Sequence, residues 1–211
     1  MTDGSAACPH EPSADGEQTL SLWTAQSKPV TDVLAAGETY RVKRRYVDEK
    51  YRECAWVFQT AYSFYLSTAQ ELVPRPAGAE SGIWCYADAS WASASAGQTL
   101  MRLEVPRSQA VLFDLRMWNR ILNLRYLPLD RQDEREFARR LERQGVRNPS
   151  DVFSTTFYPQ LKAEVLRSWR RLYGSADRCE HRFVQAGLWE IRPEWVALSV
   201  RYDGRIAADQ D

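Results

Sequence analysis

The sequence lacks the features that would reveal its chemistry directly. Its 211 residues contain two histidines and four cysteines, and no two cysteines form a Cys-x-x-Cys pair. Cys179-Glu180-His181 resembles a metal-binding fragment, but no second cluster of ligands accompanies it, so we predict no metal. There is also no Walker-type phosphate loop, no GxGxxG fingerprint and no Ser-His-Asp order, which argues against several common enzyme classes.

The chain has no net charge, because 28 Lys and Arg balance 28 Asp and Glu. This argues against a dedicated nucleic-acid or membrane-surface protein. Lysine is scarce, with 4 residues against 24 arginines. The arginine excess has two interpretations: GC-rich codon usage, or recognition of phosphate and carboxylate groups by guanidinium. Most arginines lie beside acidic residues in helix-like segments, which favours the first interpretation.

Long hydrophobic runs are missing as well. The first twenty residues are polar and acidic, so we predict no secretory signal and expect a cytoplasmic protein with reduced thiols. The longest uncharged stretch, 54–70, contains too many hydroxyl and amide groups, and is too short, to cross a bilayer. Residues 1–18 lack Lys and Arg and are predicted to be a disordered acidic tail, followed by one domain over 19–204.

Strand-like and helix-like patterns alternate through that domain without a regular repeat. Clean alternation over 99–105 predicts a strand, and apolar spacing of three and four over 51–73 predicts a helix. We predict the α+β class, a single domain with a mainly antiparallel or split sheet flanked by helices. The remaining strands are expected at 19–26, 82–87, 110–113, 182–191 and 197–202, and the remaining helices after Ser27 and Asp114 and over 131–144 and 159–173.

A glutamine in an apolar strand is the most informative local feature. Gln185 lies within the run 183–191, and Gln26 ends the first predicted strand. A buried amide needs a fixed polar partner or a ligand, and both explanations remain open here. We expect the two strands to lie close together and to place both glutamines near one cleft. Gly187 predicts a bulge or a close approach of the backbone to a ligand.

Four motifs of the chain carry a family resemblance. They are Leu22-Trp23-Thr24-Ala25-Gln26, the strand containing Trp84, residues 112–123, and Val184-Gln185-Ala186 with Trp189. Through these motifs the chain resembles the bacterial family catalogued as domain of unknown function 3841. The resemblance spans about residues 20 to 200, and its opening and closing motifs are the most specific. Two positions depart from the family pattern, because Phe113 and Asn119 replace a frequent Ser and His, so no role is carried over from those residues.

The order of elements is also similar to that of the ADP-ribosyltransferase fold. That resemblance implies NAD as a substrate, held by a residue of the first strand and flanked by an aromatic or hydroxyl residue of a middle strand. The corresponding cofactor-binding residues would be Thr24 or Gln26, and Tyr86. Gln185 would occupy the catalytic position, where that fold carries a glutamate.

Two functional hypotheses follow. The first is an NAD- or nucleotide-binding cleft, with transferase activity if a carboxylate reaches it. Gln185 cannot be a general base, and Glu180 and Glu190 are the nearest carboxylates in sequence. The second is a non-catalytic module that binds a small ligand or a protein. A carboxylate converging on Gln185 would favour the enzyme, and a pocket of amides and aromatic rings would favour the module.

Overall fold

A computed structural model describes residues 17–43 and 55–203. Within these ranges the chain alternates between strands and helices, in the mixture that the sequence predicts. The strands are β1 Thr19–Gln26, β2 Ile83–Tyr86, β3 Thr99–Pro106, β4 Val111–Asp114, β5 Val184–Leu188 and β6 Val196–Arg201. The α-helices are α1 Lys28–Ala35, α2 Ala55–Ala69, α3 Leu115–Leu122, α4 Arg131–Arg143, α5 Asp151–Ser154 and α6 Pro159–Ser168.

The strands form one six-stranded sheet in the order β4-β5-β2-β1-β3-β6. Each pair of neighbouring strands is antiparallel, which confirms the predicted α+β class with an antiparallel sheet. The pairings differ greatly in extent. β1 pairs with β3 along its whole length, whereas β1 and β2 pair only at Trp23 and Tyr86. The centre of the sheet is therefore its least paired junction.

Both faces of the sheet are covered. One face packs against helices α2 to α6 through an aromatic core that includes Tyr65, Phe113 and Trp118. The other face carries an aliphatic core, to which α1 contributes Val30 and Leu34. Because side chains alternate along a strand, β3 buries its odd-numbered residues in the aliphatic core.

Several predicted boundaries differ from the observed ones. The strand predicted over 182–191 begins at Val184, because His181–Phe183 forms a 3-10 turn, and it ends at Leu188. Helix α2 ends at Ala69, so Leu72 lies beyond it and is exposed. Asp114 caps α3 as predicted, since its carboxylate accepts a hydrogen bond from the backbone N–H of Arg116.

The tail prediction falls almost entirely outside the described residues, as do the predictions that involve 44–54 and 204–211. Glu17 and Gln18, which end the predicted tail, are described and bonded. The carbonyl of Gln18 accepts a hydrogen bond from the backbone N–H of Arg107. Glu17 accepts hydrogen bonds from the backbone and side chain of Ser108. These contacts hold the start of β1 against the turn that follows β3. Within the described ranges, each helix is too short or too polar to cross a bilayer.

Candidate functional site

A cleft opens where β1 and β2 part. It encloses about 520 Å³, a volume in the range of small-molecule sites. Four aromatic residues line it, together with six residues that carry hydroxyl or amide groups. The aromatic residues are Tyr62, Trp84, Tyr86 and Trp91, and the polar residues are Thr24, Gln26, Ser81, Ser93, Ser95 and Gln98. Three of the four predicted site residues, Thr24, Gln26 and Tyr86, therefore border one cavity.

Thr24 and Gln26 are fixed to each other at the β1 side of the cleft. The Thr24 hydroxyl donates to the carbonyl oxygen of Trp84 at 3.0 Å, which bridges the gap between β1 and β2. It accepts a hydrogen bond from Nε2 of Gln26 at 2.7 Å. The Gln26 side chain is thus oriented through its NH2 group, and among the described residues no hydrogen bond to its Oε1 is found. This carbonyl oxygen is the atom that Gln26 can offer to a ligand.

Gln185 does not line this cleft. The register pairs Trp23 with Tyr86 and Tyr86 with Gln185, so these three side chains share one face of the sheet. Gln26 lies an odd number of residues from Trp23 and so points to the other face. The expectation that Gln26 and Gln185 meet is therefore wrong: β2 separates their strands, and their side chains project from opposite faces of the sheet.

Gln185 is nevertheless unusual, because it is buried with an unsatisfied acceptor. Its side chain is 2% exposed, and its Oε1 has no hydrogen-bond partner in the described part of the chain. Its cross-strand neighbours are Tyr86, which lines the cleft, and Phe113, which belongs to the aromatic core. Gln185 thus lies next to the wall of the cleft but not on its surface.

The glycine two residues further along β5 makes room for Tyr65. A methyl group added at Gly187 would lie 2.0 Å from the Tyr65 hydroxyl oxygen, so only glycine admits this ring. The group close to the Gly187 backbone is thus a side chain of the protein, so the predicted approach to a ligand stays a prediction, and the strand register runs through Gly187 without a bulge. The Tyr65 hydroxyl is itself buried without a partner among the described residues. Burial is the main cause that raises the pKa of Tyr65 well above its usual value.

The two carboxylates that are near Gln185 in sequence are committed to arginines. Glu190 is buried, with carboxylate oxygens 2.7 Å from Arg41 Nη2 and 2.7 Å from Arg192 Nε. Burial raises the pKa of Glu190, but the hydrogen bonds from Arg192 and Arg41 outweigh it, so the pKa is lowered overall. Glu180 is exposed and pairs with Arg182. Among the described residues, no Asp or Glu lines the cleft.

The ion pair between Glu190 and Arg41 also supports one wall of the cleft. Arg41 belongs to the segment 40–43, in which Tyr40 exchanges backbone hydrogen bonds with Ile191. Val42, which follows Arg41, lines the cleft, and its carbonyl oxygen accepts a hydrogen bond from the backbone N–H of Glu80. Glu190 therefore positions this wall from behind and does not face a ligand.

Sequence reasoning missed a large part of the lining. Ser93 and Ser95 lie in the small, polar stretch 90–97, which predicts a loop, and Gln98 follows directly after it. A run of hydroxyl residues between two strands was the available signal, but nothing in it indicates which cavity it borders. Tyr62 comes from the helical pattern of α2, where an aromatic residue predicts core. Among the described residues, no cluster of three or more His, Cys, Asp or Glu residues has the geometry to hold a metal ion.

Comparison with known families assigns most of the chain to a family. The family described as "Domain of unknown function (DUF3841)" matches residues 21–197, a span that includes β2 to β5, most of β1, the start of β6 and the whole described lining of the cleft. Neither the curated proteins nor the solved structures include a match to the chain. The family's span contains β1 from residue 21 at one end, and β5 with the first two residues of β6 at the other, in agreement with the resemblance noted in the sequence. The chain therefore belongs to the DUF3841 family.

Proposed function

We propose that the cleft between β1 and β2 binds NAD or a related nucleotide. The observation that carries this proposal is the composition of the lining, which combines four aromatic rings with hydroxyl and amide groups. A nicotinamide or adenine ring stacks on aromatic side chains, at about 1–3 kcal/mol per base. Ribose hydroxyls need neutral donors and acceptors of the kind that Gln26 and the serines offer. The choice of NAD among nucleotides follows the resemblance to the ADP-ribosyltransferase fold that the sequence analysis describes.

The proposed function is binding without group transfer by the described residues. Transfer from NAD passes through an oxocarbenium-like state and needs a carboxylate to orient or activate the acceptor. The described lining contains none, and the amide of Gln185 cannot replace one. This observation favours a nucleotide-binding module over a transferase. Gln185 keeps a role in the proposal, because it neighbours Tyr86 and its Oε1 has no hydrogen-bond partner among the described residues. If the ligand displaces the Tyr86 ring, a ribose hydroxyl can donate a hydrogen bond to this oxygen.

Thermal melts with NAD, ADP-ribose and nicotinamide test the proposal. A ligand at a hundred times its dissociation constant adds about 2.7 kcal/mol to the free energy of unfolding. We expect such a shift in the wild-type protein and its loss in Gln26→Leu. Gln160→Leu is the matched control, because Gln160 is exposed on α6 and should keep the full shift.

The same melts assign the role of Gln185. A normal shift in Gln185→Leu would remove Gln185 from the site, whereas loss of the shift would place it there. No shift with any of the three ligands would contradict nucleotide binding and favour a protein-interaction module. Release of nicotinamide from NAD by the wild-type protein would contradict the non-catalytic part of the proposal.

A further inference from the structure

A pair of arginines lies beside the mouth of the cleft. Trp91, which lines the cleft, packs on Phe183 with their ring centroids 6.3 Å apart. The guanidinium carbon of Arg116 lies 4.2 Å from the centroid of Phe183, and that of Arg182 lies 4.7 Å from it. One aromatic ring therefore carries two cations and contacts a residue of the cleft.

Both guanidinium groups retain hydrogen-bonding capacity. Arg116 uses Nε and Nη2 to bind the buried carboxylate of Asp114, and Arg182 uses Nε to bind Glu180. A guanidinium has five N–H donors, so each arginine has donors left. Their side chains are 55% and 59% exposed, which leaves them accessible from solvent. Glu180 is 64% exposed, so a ligand can displace it at little cost.

The cleft-lining turn and the arginines are also electrostatically linked. Asp88 precedes the 3-10 turn Ala89–Trp91 and caps it through the backbone N–H of Ser90 at 2.8 Å. Hydrogen bonds from Ser90 are the main cause that lowers the pKa of Asp88, and the nearby charge of Arg182 lowers it further. The turn that lines the cleft therefore interacts electrostatically with Arg182.

We propose that Arg116 and Arg182 form a phosphate subsite at the mouth of the cleft, so that the ligand carries at least one phosphate group. This inference rests on the proposed function, and it specifies the chemical class of the ligand. Both guanidinium carbons lie within 4.7 Å of the centroid of one ring, so a phosphate at that ring can accept hydrogen bonds from their remaining N–H donors. Arginine suits the role because its planar fork matches phosphate oxygens. A base stacked on Trp91 would direct the attached phosphates towards Phe183.

The test compares two ligands that differ in phosphate content. Dissociation constants for NAD and for nicotinamide riboside, which has no phosphate, are measured by calorimetry for wild type, Arg182→Gln and Arg116→Gln. Arg182→Gln carries the test, since both partners of its ion pair are exposed, whereas Arg116→Gln also strips a buried carboxylate of its partner. Arg139→Gln is the control of equal charge change, because Arg139 is exposed on α4, no residue of which lines the cleft.

We expect Arg182→Gln to weaken NAD binding about tenfold and to leave nicotinamide riboside binding and the thermal midpoint unchanged. The affinity of the wild-type protein for NAD should fall with salt more steeply than that of Arg182→Gln. Equal NAD affinity in wild type and Arg182→Gln would overturn the phosphate subsite while leaving the nucleotide cleft intact. An equal loss for both ligands would also overturn it. If the wild-type protein binds neither NAD nor nicotinamide riboside, the proposed function is overturned, and the phosphate subsite with it.

Discussion

At the scale of single residues, Tyr65 in the aromatic core has a ring that stabilises the fold and a hydroxyl that opposes it. Tyr65 is 1% exposed and makes edge contacts with Trp84 and Trp118 at centroid distances of 4.8 and 5.9 Å. Its hydroxyl nevertheless lies against Gly187 without a hydrogen-bond partner among the described residues. Leaving such a group unsatisfied costs about 1–3 kcal/mol. The ring is therefore the stabilising part of this side chain, and the hydroxyl opposes it.

Removal of the Tyr65 hydroxyl tests whether that group destabilises the folded protein. We expect Tyr65→Phe to leave the free energy of unfolding unchanged or to raise it by about 1 kcal/mol, because an unsatisfied polar group is removed from the core. Tyr173→Phe is the matched control, since its hydroxyl lies 2.5 Å from Oγ1 of Thr68 and its loss should cost about 0.5–1.5 kcal/mol. Urea unfolding measures both. A larger loss for Tyr65→Phe than for Tyr173→Phe would show that the Tyr65 hydroxyl has a partner in solution.

At the scale of elements, local pattern succeeded where one periodicity dominated. The alternation of Met101, Leu103 and Val105 predicted β3, and these side chains are buried as expected. The spacing of Ala61, Tyr65 and Ala69 predicted α2 in the same way. Periodicity places a side chain on a face of its own strand, but it does not tell which strand lies next to it.

The expectation that Gln26 and Gln185 lie near one cleft was wrong for that reason. The two residues lie on strands that are separated by β2, and only the register of Trp23, Tyr86 and Gln185 shows which faces they occupy. The lining by Ser93, Ser95 and Gln98 was equally hidden, because a loop has no periodicity that could indicate its position. The sequence could therefore predict only those site residues that lie on strands β1 and β2.

The short segment 40–43 depends on a buried carboxylate, which makes its attachment sensitive to pH. The folded-state pKa of Glu190 is depressed below 4.5, so its stabilising effect is present above that pH and is lost as the pH falls through the folded-state pKa. We expect Glu190→Gln to lose about 1–3 kcal/mol at pH 7, less than for a fully buried pair because both arginines are partly exposed.

Thermal melts of wild type and Glu190→Gln at pH 7 and pH 3.5 check this expectation. The difference between the two proteins should shrink at the lower pH, because the unfolded wild-type chain binds a proton at Glu190 below the ordinary pKa of 4.5, which favours unfolding. Glu180→Gln serves as the exposed control, with an effect of at most about 1 kcal/mol. A difference that stays constant from pH 7 to pH 3.5 would show that the charge of Glu190 is not what stabilises the segment.

At the scale of the whole molecule, the weakly paired junction between β1 and β2 raises the question of whether the sheet opens there. Each side of the junction is well paired, through β3 on one side and β5 on the other. The aliphatic core spans the junction, because Leu22 and Met101 come from one side and Ile83 and Ala186 from the other. This shared core should hold the two sides together even though few backbone hydrogen bonds cross between them. The cleft is then a fixed feature of one cooperative unit.

Cys85 reports on this cooperativity, because it lies on β2 at the junction and is fully buried in the aliphatic core. Burial raises the pKa of its thiol to about 12, although the neighbouring Thr24 hydroxyl acts in the opposite direction, so the reactive thiolate is almost absent in the folded state. We expect alkylation of Cys85 to require global unfolding, with a urea dependence equal to that of the circular dichroism transition. Cys179, which is partly exposed, should react in the native protein and serves as the control, and peptide mass spectrometry separates the two sites. Alkylation of Cys85 with a much weaker urea dependence would reveal local opening between β1 and β2 and would contradict a cleft held rigid by the core beneath it.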